Sequence, residues 1–393
     1  MNRRLRRDVV VAGGGVVGAT AALALAKAGL TVALVESGAR ARWSRQDPDP
    51  RVFAFAPDNA ALLDGLGVWN EIATARAQPY RHMRVWDAAG GGELHFDADG
   101  LARRALGWIV ENALLVECLW RAAERAGVEI VQPARVDGLT QREDGVRLRL
   151  EGGETLEARI AIAADGARSR LRELAGVEVS ARDYAQRGVV AYVETAEPHR
   201  LTAWQRFLPG GPLAFLPADG DRRSSIVWSL PEMEAERVLV LDDAAFGIEL
   251  TQAFAARLGV ARPLSRRVAF PLRRQLAKTQ LAGRVLLVGD AAHVVHPLAG
   301  QGVNLGLRDV AALAASVGEA RARGRAFDAP HRLQAWARRR RSDNVVSAHA
   351  FETINRVYSN DALLPTFLRG HALGIANAVA PLRHALWRHA AGI

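Results

Sequence analysis

The sequence predicts an α/β protein in which two lobes interleave along the chain, followed by a helical C-terminal region. Three observations point there. The first 36 residues read as strand, glycine-rich turn, helix and strand. Residues 188–230 break into four short strand candidates with turns between them. From Pro330 onward the composition stays helical, interrupted at Pro365 and Pro381. At about 150 residues per domain, a chain of 393 residues has room for both lobes. With 49% hydrophobic and 24% charged residues, it is neither disordered nor fibrous.

Element by element, residues 8–12 form a short apolar run suited to a buried parallel strand. Gly13-Gly14-Gly15-Val16-Val17-Gly18 follows. Residues 19–28 are rich in alanine and leucine and stop at Gly29, as a helix does. Residues 30–35 make a second strand that ends at Glu36, completing a βαβ unit. Short strands are expected at 81–87 and 93–97, and a helix at 112–126. Strand-like alternation at 146–150 and 156–163 leads into Asp165-Gly166. Strands at 189–194, 203–208, 213–216 and 224–230 read as a mostly antiparallel sheet. Residues 284–288 are a further buried strand before Gly289-Asp290, and 303–317 a long helix.

Charge and cysteine use narrow the class. The net charge is +10, and the only lysines are Lys27 and Lys278. Arginine clusters at 3–7 and 338–341 are suited to anionic lipid or an acidic partner. With no helix-turn-helix, RNA-binding or zinc-finger pattern, nucleic acid is not an expected partner. The single cysteine, Cys118, excludes an internal disulfide and a thiolate zinc site, and fits a cytoplasmic location. The apolar stretch 16–35 contains Lys27 and Gly29 and reads as helix plus strand, so any membrane contact is expected to be peripheral.

The pattern Gly13-x-Gly15-x-x-Gly18 has a physical task. Gly13 permits the tight turn, Gly15 lets a pyrophosphate approach the backbone, and Gly18 lets the helix pack closely on the strand. The helix N-terminus offers free N–H groups to phosphate. Glu36, 18 residues after Gly18, is placed for the adenosine ribose hydroxyls. This unit alone does not separate FAD from NAD.

Two further segments do. One is Ala164-Asp165-Gly166-Ala167-Arg168-Ser169; the other runs from Gly289-Asp290-Ala291-Ala292-His293 through Pro297 and Gly300 to Gly302-Val303-Asn304 and Gly306. Together with the glycine fingerprint, in this order, they resemble the class A FAD-dependent aromatic monooxygenases of the para-hydroxybenzoate hydroxylase fold. Within that class the chain is most similar to the ubiquinone-biosynthesis flavin hydroxylases. Gly67-Val68-Trp69, Pro79-Tyr80-Arg81, the run from Trp204-Gln205-Arg206 to Leu216-Pro217, and the segment after His296 carry this likeness.

The resemblance implies a Rossmann-like FAD-binding domain (1–78, 98–178 and 274–330), interleaved with a mostly antiparallel β-sheet substrate domain (79–97 and 179–273), plus a C-terminal helical region (331–393). It implies FAD held by Gly13, Gly15, Gly18, Glu36, Arg51, Asn112, Asp165, Asp290, Gly302, Val303 and Asn304. Asp290, at a strand end, suits the ribityl hydroxyls. Pro297 and Gly300 are the catalytic candidates, as backbone lying against the flavin ring. Amides at the start of the following helix would face the pyrimidine end. Asp165 and Arg168 have a second reading as a strand-end turn and helix cap, and Asn112 as an N-cap. His293 and His296 have metal-like spacing, but Val294 and Val295 between them favour a loop-ordering role, and no metal is expected.

The chemistry implied is hydroxylation of a phenolic ring. NAD(P)H or another donor reduces the FAD, and dioxygen gives a flavin C4a-hydroperoxide that transfers its terminal oxygen. The expected substrate is a polyprenylated phenol, hydrophobic and reached from a membrane surface. Other ubiquinone-biosynthesis proteins are candidate partners. Residues 363–369 and the Trp387-containing tail from Pro381 are candidate membrane-facing segments. Three alternatives stay open at this point: a hydroxylase of small soluble aromatics, a flavin reductase of the same fold, and a scaffold in which FAD is structural.

Overall fold

The computed structural model describes residues 7–88, 90, 92–295 and 301–358, the side chains of 301 and 345–358 excepted. His296, Pro297, Gly300, residues 363–369 and the tail from Pro381 lie outside the described residues.

The first lobe is built on an eight-stranded sheet. At its centre the strand Arg7–Ala12 pairs in parallel with Val32–Val35 on one side and Thr155–Ala163 on the other. Glu129–Val131 and Val285–Leu287 extend the parallel run outward. The central strand is covered on both faces, which is why it reads as an unbroken apolar run. Val9 and Val11 enter one core with the helices Val16–Lys27, Asn112–Arg125 and Gln301–Ala322, while Val10 and Ala12 enter the core on the opposite face.

The second lobe is a nine-stranded sheet. Its spine is Val179–Thr195, 17 residues long where six were expected. This strand pairs antiparallel with Arg223–Pro231, Val268–Ala277 and Ala261–Pro263. Beyond Gly211–Pro217 and Thr202–Leu208 come His82–Asp87 and Glu93–Asp97, from far earlier in the chain. His82–Asp87 joins in parallel with Thr202–Leu208. The helices Glu232–Val240 and Asp243–Ala253 cover one face, packing Phe246 and Leu250 onto Leu213, Phe215, Ile226 and Trp228.

Several boundaries differ from expectation. The first helix begins at Val16, inside the glycine loop, and the helix expected at 303–317 spans Gln301–Ala322. A small three-stranded sheet of Val52–Phe55, Gly107–Glu111 and Ala77–Tyr80 had no clear sequence signal. His293–Val294 leaves the first lobe and pairs with Val268–Ala277 of the second, so the third cofactor segment is stitched to the substrate sheet. The arginine cluster at 338–341 is not a uniform surface patch. Arg338, Arg339 and Arg341 are exposed, but Arg340 is turned inward against Asp309. Arg7 is likewise paired, with Glu129 at 2.5 Å.

Candidate functional site

A cleft of about 280 Å³ opens at the carboxyl ends of three central parallel strands, lined by Gly13, Gly15, Glu36, Ala164, Asp165 and Arg135 among others. That is where open α/β sheets bind ligands. Gly13 has φ +104°, and a Cβ there would lie 2.3 Å from the Ala164 carbonyl oxygen. Only glycine lets the two strand ends meet so closely. A Cβ on Gly18 would sit 1.9 Å from the Gly13 carbonyl oxygen and 3.0 Å from the Ala164 Cβ. The close approach expected between helix and strand is therefore made mainly to the loop itself.

Gly15 is different, because a Cβ there would meet nothing within 4 Å. It is the N-cap of Val16–Lys27, and no side chain caps that helix. The first amides of the helix have no intrahelical partner, and the space in front of them is open. Glu36 accepts hydrogen bonds from the amides of Gly14 and Gly38, both at 2.6 Å. Trp120 donates its indole N–H to the Gly14 carbonyl at 2.6 Å, fixing the loop from below.

Arg51 and Asn112 are brought together by a residue the sequence reading missed. Asp49 accepts from Arg51 Nε at 3.3 Å, Asn112 Nδ2 at 3.3 Å and the Ala113 amide at 3.2 Å. Asn112 is the first residue of its helix and the N-cap is Glu111, so the plain N-cap reading of Asn112 is corrected. Glu111 is buried, accepting from the Asp49 amide at 2.7 Å and from Arg76 Nη1 at 3.1 Å. Burial pushes its carboxyl up, against the pull of these partners.

The structure gives Asp165 two places at once. It lines the cleft, and it also accepts from Ser169 Oγ and from the Leu171 amide at 3.0 Å at the start of Arg170–Leu174. Arg168 is exposed. The unforeseen residue here is Arg172, which is buried. Its Nη1 donates to the carbonyls of Ala167 and Ala291, each at 3.1 Å, and so ties the second segment to the third.

In the third segment Asp290 lies in the short 3-10 turn Gly289–Ala291. Its side chain keeps an open surface, yet the surrounding protein raises its carboxyl, with His293 pulling the other way. Gly302 and Val303 sit in the first turn of Gln301–Ala322, where amides lack intrahelical acceptors. Asn304 is fully buried, and its amide group is spent inside the protein. Nδ2 donates to the Ala54 carbonyl at 2.8 Å, and Oδ1 accepts from the Ala56 amide at 3.0 Å and from Asn59 Nδ2 at 2.9 Å. The side chain thus locks helix to strand, and the Asn304 carbonyl also accepts from Asn59 Nδ2 at 3.2 Å.

These features fit a dinucleotide with a ribityl arm. Open space faces an uncapped helix start, a carboxylate ends the adjacent strand, and a second carboxylate, Asp290, follows the strand Val285–Leu287.

The family model described as FAD binding domain matches residues 6–348. The chain is 35% identical to the 3-demethoxyubiquinol 3-hydroxylase of Escherichia coli (strain K12), over 98% of each chain. It is 36% identical to the ubiquinone hydroxylase UbiL of Rhodospirillum rubrum, over 98% of this chain and 89% of that one. Against the mitochondrial ubiquinone biosynthesis monooxygenase COQ6 of Homo sapiens the identity is 32%, over 96% and 90% of the two chains. In fold it matches the crystal structure of p-nitrophenol 4-monooxygenase PnpA from Pseudomonas putida DLL-E4, with a TM-score of 0.78 at 22% identity, over 97% of this chain and 96% of that one. With a cleft built for a dinucleotide and full-length likeness of this kind, the chain belongs to the FAD binding domain family and, within it, to the flavin hydroxylases of ubiquinone biosynthesis.

Proposed function

We propose that the protein is a monooxygenase that uses FAD to hydroxylate the aromatic ring of a polyprenylated phenol in ubiquinone biosynthesis, with NAD(P)H or another donor as reductant. The observation that carries this reading is one cleft shared by the glycine loop, Glu36 and the Asp165-Gly166 turn, in a chain alike over its whole length to ubiquinone hydroxylases. When bound, FAD supplies the activation of dioxygen. The residues do the rest. Gly15 and the amides of Val16–Lys27 hold the pyrophosphate, and Glu36 the adenosine ribose. Asp49 holds Arg51 and Asn112 beside them. Asp165 and Asp290 take hydroxyls of the ribityl arm, and backbone at Gly302, Val303 and Asn304 meets the pyrimidine end. Pro297 and Gly300 are assigned as the backbone flanking the flavin ring.

The substrate sheet offers a surface of the right polarity. Alternation puts Ala214, Leu216, Val227 and Val268 on the face turned away from the covering helices, and all four are half-buried. This apolar face lies toward the small sheet that contains Ala77–Tyr80, and it suits a hydrocarbon-bearing ring. Arg76 reaches across with Nε 3.6 Å from Asp219, joining the two lobes at that edge. The domain boundaries 1–78, 98–178 and 274–330 against 79–97 and 179–273 are proposed on the same footing. Among the described residues no helix is long and apolar enough to cross a membrane. Peripheral contact on the cytoplasmic face, through exposed Arg338, Arg339 and Arg341, is part of the proposal.

The test is turnover of a short-chain demethoxyubiquinol analogue under ¹⁸O₂, read by mass spectrometry. One labelled oxygen on the ring is expected. Donor consumption without labelled product refutes the reading in favour of a reductase. Labelling of small soluble phenols alone, with tailed substrates untouched, refutes the substrate class.

A further inference from the structure

One carboxylate deep in the fold collects four donors from three separate elements. Asp309, in the helix Gln301–Ala322, has no exposed surface. Its Oδ2 accepts from the Gly289 amide at 3.1 Å and from His293 Nε2 at 2.6 Å. Its Oδ1 accepts from Arg340 Nε at 2.8 Å and Asn344 Nδ2 at 3.1 Å. The Asp309 carbonyl takes the Trp336 indole N–H at 3.2 Å. Burial alone pushes this carboxyl up, but His293 and Arg340 hold it below the usual range, so it is a carboxylate.

The donors fall into two groups. Gly289 and His293 flank Asp290 in the third cofactor segment. Trp336, Arg340 and Asn344 follow one another along the helix Pro330–Tyr358, and none of the three lines the cleft. Arg340 completes its bonding with Asp343 at 2.7 Å and Asn344 Oδ1 at 3.1 Å. Because the Asp309 carboxylate only accepts, His293 carries a proton on Nε2, and Nδ1 is the ring nitrogen left over. That atom is buried and has no hydrogen-bond partner among the described residues. Buried polar atoms are seldom left bare without a use, and this one sits three residues from Asp290.

We propose that Asp309 is a positioning residue that couples docking of the C-terminal helix to the FAD site. With Arg340 and Asn344 seated on it, it holds the Gly289 turn and fixes His293 with its Nε2–H on the carboxylate, on either side of Asp290 in the chain. Without them, two of the four donors are lost and the carboxylate is free to draw the His293 and Gly289 side out of place. The C-terminal helix thereby sets FAD affinity from outside the cleft. The inference rests on FAD being the cofactor.

The experiment measures FAD dissociation constants by flavin fluorescence in wild type, Arg340→Met, Arg340→Lys, Asn344→Leu and Gln334→Ala. The last removes an exposed side chain of the same helix. Nitrogen-15 spectra of histidine-labelled protein report the His293 tautomer. Arg340→Met is expected to weaken FAD at least tenfold and to turn the single Nε2–H signal into a mixture. Arg340→Lys should restore part of both, Asn344→Leu should weaken binding several-fold, and Gln334→Ala should match wild type. If Arg340→Met does not fold, Asn344→Leu decides on the same two readouts. A folded Arg340→Met or Asn344→Leu with wild-type FAD affinity and an unchanged His293 signal overturns the proposal. Wild type that binds no FAD overturns the cofactor reading along with it.

Discussion

Two glycines of one loop should fail in opposite ways when each is replaced by alanine. At Gly18 the new Cβ would stand 1.9 Å from the backbone oxygen of Gly13. Backbone cannot swing aside as a flexible side chain can. Overpacking costs about 1–3 kcal/mol, and a contact this short belongs at the upper end. Helix propensity returns about 1 kcal/mol, so the FAD-free protein should lose roughly 2 kcal/mol. At Gly15 the new Cβ meets nothing within 4 Å, and φ −67° with ψ −178° is open to any residue. Losing glycine at an N-cap costs up to about 1 kcal/mol. Reducing the freedom of the unfolded chain gives back about 0.4–1 kcal/mol. The two nearly cancel. What Gly15→Ala fills is the space before the helix start, so FAD should weaken at least tenfold, about 1.4 kcal/mol. Urea unfolding of FAD-free protein and fluorescence titration of FAD separate the two effects. A Gly15→Ala variant that binds FAD like wild type, or that is destabilised as much as Gly18→Ala, would refute the reasoning.

Other expectations follow from the same geometry. Because the folded Asp290 carboxyl is raised, its contribution to stability is fully present below the ordinary value of 3.8 and is lost as pH rises through the folded value. Asp290→Asn should therefore raise the urea midpoint of FAD-free protein at neutral pH, with the gain vanishing in acid, while FAD binding weakens. An equal midpoint at neutral pH counts against a raised Asp290 carboxyl. Arg172→Met leaves the Ala291 carbonyl without this donor, at about 1–3 kcal/mol for a buried group left bare, while the Ala167 carbonyl keeps Gln275 Nε2 at 2.9 Å; it should also loosen FAD, and a neutral effect on both would show the two segments are held otherwise. Co-sedimentation with anionic liposomes should fall with salt and fall further in an Arg338→Gln, Arg339→Gln, Arg341→Gln triple variant, at about 1 kcal/mol per arginine near the surface. Salt-independent absence of binding removes direct membrane contact from the proposal.

The βαβ unit was legible because each of its signals is local. An apolar run, three spaced glycines, an alanine-rich helix and a terminal Glu36 lie within 36 residues. The antiparallel strands were legible for the same reason, through alternation and turns. What escaped were partners far apart in sequence. Nothing local marks Asp49 as the holder of Asn112, 63 positions on, or Arg172 as the link to Ala291, 119 positions on. Arg340 was read as surface because it sits in a run of four arginines. Helical geometry turned that one inward, where Asp309 was waiting. Asn304 shows the converse. The motif made it a cofactor residue, but its side chain is claimed by Ala54, Ala56 and Asn59, which no spacing rule foretells.

The parallel pairing of His82–Asp87 with Thr202–Leu208 has a consequence for how the chain is made. The register sets His82 against Thr202, about 120 residues later. At about 5–20 residues per second, the ribosome needs roughly 6–24 s to supply that partner. Until then the hairpin of His82–Asp87 and Glu93–Asp97 has an unpaired edge, and the small core of Val85, Leu94, Phe96 and Leu106 still lacks Phe207. Such an edge is a site for mispairing with other nascent chains. Non-local closure of this kind also slows folding itself. Yield in a heterologous host should therefore respond to translation speed and to chaperones that shield β edges, more than to the stability of the finished protein.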